Sequence, residues 1–174
     1  DNVDRVVYQF GNSPYHWYML KLLDVVPGIV VLHDFFLSSL FSSFEDSGMA
    51  PGAWPEALYI SHGYPALNDY CHEYDNANVI SKYPANFYVL QKAQRVITHS
   101  NYSRDLVRQW FGDKVADDVD VIPLVRTDVN GHQRSQARKA LGIEDDVFLV
   151  CSYGFLDPVK MNANLLEAWQ ASRL

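Results

Sequence analysis

The side chains best suited to chemistry stand where short apolar runs end. His33 and Asp34 close the run Ile29-Val30-Val31-Leu32, presenting an imidazole and a carboxylate side by side, groups that hold polar ligands and handle protons. Gly11-Asn12-Ser13 follows Arg5 to Phe10, and His99-Ser100 follows Arg95-Val96-Ile97-Thr98. Each group also has a plain structural use. A His-Asp pair is often only a polar strand end, Gly11-Asn12-Ser13 serves equally as turn and cap, and Ser100 before a helix is mostly an N-cap. Cys71-His72-Glu73 has metal-ligating types, but neighbouring residues rarely point at one ion and no second ligand group stands at a suitable spacing. No metal is expected.

These groups need an α/β frame to bring them together. Pro27-Gly28 followed by four aliphatic residues reads as a buried parallel strand, and Arg5 to Phe10 as the strand before it. Between them, Ser13 as N-cap and Pro14 at the first helical position open a helix running to Val25. Parallel strands need such a crossover, so Gly11-Asn12-Ser13 and His33-Asp34 emerge at one edge of the sheet. The pattern predicts helix over 35–46, an irregular loop at Gly48 to Pro55, and helices at 54–61 and 66–73 broken at His62-Gly63-Tyr64-Pro65. A helix from Pro84 to Gln94 carries Tyr83, Phe87 and Leu90 inward. Arg95–Thr98 is the next strand, Tyr102 to Phe111 a helix closed by Gly112 as left-handed cap, and Asp120–Ile122 a strand. After a mixed-charge stretch with a small helix at Gln133 to Leu141, Val147 to Ser152 restarts the alternation. A helix with Leu165, Leu166 and Trp169 inward follows.

Composition narrows the function classes. The 174 residues are 48% hydrophobic and 14% aromatic, enough for a core, and the formal charge of −7 argues against a nucleic-acid partner held by clustered Lys and Arg. No run reaches the ~20 apolar residues of a membrane helix. Cys71 and Cys151 stand far apart without a CxxC, which fits reduced thiols and a cytoplasmic chain. GxGxxG, GxxxxGK[ST] and GxSxG are all missing, so dinucleotide oxidoreductases, P-loop NTPases and α/β-hydrolases lack their signatures. Asp1 leads straight into a strand pattern and Leu174 falls inside a helical one, which reads as a fragment.

Five stretches in order carry a family resemblance: YQFGNSPYHWYMLKLL with PGIVVLHDFFLS, RVITHSNYSRDLV, VDVIPLV, and SYGFLDPVKMNANLLEAW. Together they resemble bacterial glycosyltransferases of the GT-B fold, in the retaining family 4 group that uses nucleotide-activated sugars. The resemblance implies two Rossmann-like domains: residues 1–123 as the later part of an acceptor-side domain, and 124–174 as linker and first unit of a donor-binding one. His33 is then similar to the family's cleft histidine, which contacts the donor sugar and helps hold the acceptor, with Asp34 on the same edge. Gly11, Asn12 and Ser13 fall on the acceptor side. Gly154 and Lys160 resemble the glycine and lysine that grip the donor diphosphate, where a cation and the helix amides after Asn162 stabilise charge on the leaving group without a metal or other cofactor. The implied partners are a nucleotide-sugar donor and a saccharide, lipid or small-molecule acceptor. The implied location is cytoplasmic, peripheral to the membrane in the full-length protein.

Two departures qualify this. The family usually has Arg directly after the loop glycine, where this chain has Phe155. Its N-terminal glycine-rich loop and its pair of glutamates eight residues apart have no counterpart here. The chain alone is therefore expected to be inactive, and a non-catalytic Rossmann-type module binding a nucleotide or a partner protein is the alternative. A domain cut open is also expected to self-associate through exposed edges.

Overall fold

The computed structural model describes residues 4–73, 75–125, 134–156 and 158–172. The chain forms two compact units, Asp1–Val125 and Arg126–Leu174.

The first unit is built on four parallel strands, β1 (Val7–Phe10), β2 (Ile29–Leu32), β3 (Arg95–Thr98) and β4 (Val119–Val121), lying side by side in chain order. Between β1 and β2 come a 3-10 turn (Pro14–His16) and α1 (Trp17–Val25); α2 (Ser38–Asp46), α3 (Ala53–His62), α4 (Tyr64–His72), α5 (Asn76–Lys82) and α6 (Phe87–Lys92) precede β3. Helices α7 (Asn101–Phe111) and α8 (Asp113–Ala116) lead to β4. Because right-handed crossovers that always step in one direction must lie on one face, this order loads every helix onto the same side. The core agrees. Tyr8, Phe10, Val30, Leu32, Val96 and Val119 pack with Leu23, Leu40, Phe41, Trp54, Leu58 and Val107 in one buried cluster. The opposite face carries Val7, Gln9, Ile29, Val31, Arg95, Ile97 and Asp120, none of which joins that cluster. The sheet is therefore α/β and Rossmann-like in strand direction and crossover, but its order never reverses, so the described residues contain no topological switch point.

Close approach fixes the entry to β2. A Cβ on Gly28 would lie 2.6 Å from the Val6 carbonyl oxygen and 2.8 Å from the Tyr8 ring, so only glycine lets the chain pass there. Ser13 and Ser100 cap their helices as expected, accepting from the backbone N–H of Tyr15 and Ser103. Other expectations need correction. The helix from Pro14 begins as a 3-10 turn, and the loop at Gly48 to Pro55 already contains the first turn of α3. The helix expected at Pro84 to Gln94 is only Phe87–Lys92, because Tyr83-Pro84-Ala85-Asn86 is a buried connector. That connector is tied on several sides: Leu37 N–H donates to Pro84 O (2.8 Å), Ser38 Oγ to Tyr83 O, Asn86 Nδ2 to Phe35 O (2.6 Å), and Phe87 N–H to Ser61 Oγ (3.1 Å). Gly112, at φ 86° and ψ 171°, is not a left-handed helical cap but the shared hinge between α7 and α8.

The second unit has α9 (Arg134–Ala140), a 3-10 turn (Pro158–Lys160) and α10 (Asn162–Ala171), with no strand among its described residues. Val147 to Ser152 forms no strand and pairs with none among the described residues, Val147 being a bend, since an apolar run becomes a strand only beside a partner. Leu165, Leu166 and Trp169 are correspondingly 43%, 57% and 38% exposed rather than buried, Trp169 lying parallel to Phe148 at 6.0 Å. Arg138 holds the unit's turn together by donating to the Glu144 carbonyl at 2.7 Å and to the Val147 carbonyl.

Candidate functional site

The carboxyl ends of β1, β2 and β3 bring together most of the residues singled out in the first unit. Phe10 pairs with Leu32 and Val31 with Ile97, and the ladder continues through His33 N–H to Phe10 O (2.8 Å) and Ile122 N–H to Thr98 O (2.9 Å). His33 and His99 each follow a four-residue strand, at the same level on neighbouring strands. In a pleated sheet that places both side chains on one side. Their rings meet, with centroids 5.0 Å apart and His99 Nε2 3.2 Å from His33 Nδ1. His33 Nε2 lies 2.6 Å from Gln9 Oε1, and His99 Nδ1 2.8 Å from the Ile122 carbonyl. His33 and Gln9 are exposed and His99 is half-buried.

Asp34 points the other way and serves the β1 loop. Its Oδ2 accepts from Asn12 N–H at 2.8 Å, while Asn12 Oδ1 accepts from Leu40 N–H at 2.9 Å in the first turn of α2. Gly11 is buried, and a Cβ there would meet His16 Cε1 at 2.9 Å and Asp34 Oδ2 at 3.2 Å. His16 Nδ1 sits 3.2 Å from Gly11 N and 2.8 Å from Gly11 O, so its tautomer decides which bond is made. Ser13 is spent on its cap, 3.4 Å from Tyr15 N. The acceptor-side trio therefore has a complete structural use, and Asp34 is the residue that fastens it to β2.

Gln9, His16 and the contact between His99 and His33 escaped the sequence reading, which gave His99-Ser100 only the structural use of Ser100 as an N-cap. A signal existed: IVVL-His and RVIT-His are strands of equal length ending in the same residue type. Aligning the two strand ends would have set the imidazoles side by side.

In the second unit, Gly154 has φ 127°, a conformation L side chains rarely adopt, with no atom within 4 Å of where a Cβ would stand. Lys160 ends the 3-10 turn and is exposed, as is Phe155 at 91%. Helix α10 starts from Met161 at φ 54° and ψ 29°, with no side chain capping its first amides. Asn162 Nδ2 donates to Ser152 Oγ at 3.0 Å. Asp157 lies outside the described residues.

A separate cleft of about 210 Å³ lies in the helical layer, walled by Trp17, Lys21, Asp24, Glu56, Ala57 and Tyr88. None of the predicted site residues lines it. Burial, then the hydrogen bond to Asp24, pushes the Tyr88 phenol up to about 12, and the bonds from Tyr88 and Lys92 hold Asp24 below the usual carboxylate range. No group of three or more His, Cys, Asp or Glu among the described residues is arranged to hold a metal. No helix there is long and apolar enough to cross a membrane. Cys71 and Cys151 are free and exposed.

No protein-family model, no curated protein and no solved structure matches the chain. What fold and site define is an α/β chain with a parallel sheet carrying a paired-histidine edge.

Proposed function

We propose that the chain is part of a retaining glycosyltransferase that moves a sugar from a nucleoside-diphosphate donor to a hydroxyl acceptor. The observation that carries this reading is His33, exposed at the carboxyl end of an interior strand and held through both ring nitrogens by Gln9 and His99. An imidazole fixed in this way offers a defined polar group to a ligand at the carboxyl ends of the strands. Asp34 holds the Gly11-Asn12-Ser13 loop beside it as the acceptor-side wall.

In the second unit, Lys160 and the uncapped amides of α10 supply positive charge for a departing diphosphate. Such charge raises turnover only where it acts more strongly on the transition state than on the bound donor. Gly154 keeps the approach open, with no side chain of its own. The proposed reaction uses no metal, because Lys160 and the helix amides take that role. The test offers UDP-, GDP- and ADP-sugars, with and without EDTA, to the full-length gene product and its Lys160→Ala variant. Release of one nucleoside diphosphate that persists in chelator and falls at least tenfold in the variant, about 1.4 kcal/mol, is the expected result.

A second reading, a non-catalytic nucleotide- or partner-binding module, is favoured by Phe155, an exposed aromatic where the family has a second cation. No release from any donor, with parent and variant alike, selects it.

A further inference from the structure

A metal ion held by two imidazoles sets their nitrogens at a fixed separation. With Zn–N bonds of about 2.0–2.1 Å and a tetrahedral angle between them, two ligating nitrogens stand about 3.3 Å apart. His33 Nδ1 and His99 Nε2 are already 3.2 Å apart, at the carboxyl ends of the neighbouring strands β2 and β3. The other nitrogen of each ring has its own partner. His99 Nδ1 is 2.8 Å from the Ile122 carbonyl oxygen, which only accepts, so in the neutral ring Nδ1 carries the proton and the Nε2 lone pair is left facing His33. His33 Nε2 lies 2.6 Å from the end of the Gln9 side-chain amide. That amide is exposed and can turn its oxygen to an Nε2–H, so the site needs neither orientation of it in the free protein. An imidazole whose far N–H is held by a carbonyl oxygen is oriented for a metal and is a stronger ligand to it.

We propose that His33 Nδ1 and His99 Nε2 form a chelating site for a late first-row divalent cation, Zn²⁺ in the test below, with water in the remaining positions. The donor set selects the ion. Two neutral imidazoles suit Zn²⁺ and its neighbours Ni²⁺ and Cu²⁺, whereas Mg²⁺ and Ca²⁺ take oxygen ligands. The carboxylates of these strands and their ends are engaged elsewhere: Asp34 accepts from Asn12 N–H at 2.8 Å, and Asp120 is bound by Arg95 at 3.2 Å. The site therefore has two protein ligands and keeps open positions, and His33 at its rim is exposed. The formal charge of −7 favours the approach of a cation. The ion is no cofactor of the proposed transfer. One consequence rests on that proposed function: a metal on His33 occupies the place offered to the substrate, so Zn²⁺ inhibits turnover.

The experiment follows the histidine ring signals by NMR as Zn²⁺ is added to the chain carrying Cys71→Ser and Cys151→Ser, because both free thiols are exposed and bind the ion themselves. The expected result is that the His33 and His99 signals shift together as one ion binds, and that Mg²⁺ at the same concentration moves neither. Affinity, read by calorimetry, falls roughly tenfold or more in His33→Ala and in His99→Ala. The double variant binds no more weakly than either single one, since one imidazole alone cannot chelate. The amide spectrum checks folding, and the ring signals of the unaltered pair decide the matter where a variant fails to fold. Zn²⁺ that leaves either ring unmoved overturns the proposal. So do single variants that bind like the parent, or losses that add in the double variant and thus belong to two separate sites. Binding is read without turnover, so its failure and that of the donor screen are told apart.

Discussion

His62 makes stability depend on pH in a way that can be worked out from its surroundings. The ring ends α3 and packs among Tyr83, Trp110 and Phe111, with centroids 5.1, 4.7 and 6.0 Å away, and its Nε2 accepts from Ala85 N–H at 3.1 Å. Burial lowers its pKa from 6.5 to about 4. Protonation would also abolish the lone pair that Ala85 uses, leaving that N–H facing another donor. The folded state thus binds the proton later than the unfolded one. Stability from the neutral ring is fully present above about pH 6.5, is lost as pH falls, and levels off below about pH 4. A gap of about 2.5 pH units corresponds to roughly 3.4 kcal/mol at 1.36 kcal/mol each. The ring is only half-buried, so solvent screening cuts this to about 1–2 kcal/mol. The comparison is urea unfolding at pH 7 and pH 4.5 of the chain and its His62→Gln variant, both carrying Trp169→Phe so that fluorescence reports Trp17, Trp54 and Trp110 in the first unit. Acid-sensitive carboxylates such as Asp24 and Asp69 are common to both proteins and cancel. The parent is expected to lose about 1–2 kcal/mol more than the variant over that interval. Equal losses would refute the assignment of His62 as a buried neutral acceptor.

Gly28→Ala forces a methyl group against the Val6 carbonyl and the Tyr8 ring and should cost about 1–3 kcal/mol, read as a lower urea midpoint with an unchanged slope. Asn12→Ala removes the acceptor for Leu40 N–H, so a loss of about 1 kcal/mol is expected whatever the site does; unchanged stability would show that Asn12 does not hold α2. In Asp24→Asn, the Tyr88 phenol should ionise below its value of about 12 while remaining above an exposed tyrosine, because burial acts on it more than the carboxylate does. Ultraviolet titration against a Tyr88→Phe control measures this, and an unmoved phenol would remove Asp24 from the account.

The strands and most helix starts were legible in the sequence because their causes are local. Four aliphatic residues after Pro27-Gly28, or Ser13 and Ser100 before their helices, act within a few positions of themselves. The site was only half legible. His33 and Asp34 could be placed at a strand end, but their partners come from 22 to 66 residues away, Asn12 for one and His99 for the other. Strand order and register alone decide which strand ends lie side by side, and those depend on pairing across the whole sheet.

The sequence by itself determined the α/β alternation, the parallel strands and the turns that close them, since hydrophobic period and capping chemistry are short-range. Tertiary structure decided three things. Strand order put every helix of the first unit on one face. Among the described residues no strand lies beside Val147 to Ser152, which leaves that run unpaired and Leu165, Leu166 and Trp169 of α10 partly exposed. Equal register on β2 and β3 joined two histidines into one hydrogen-bonded pair. Each is a relation between segments remote in the chain, and a hydrogen bond or a buried contact exists only when both partners arrive.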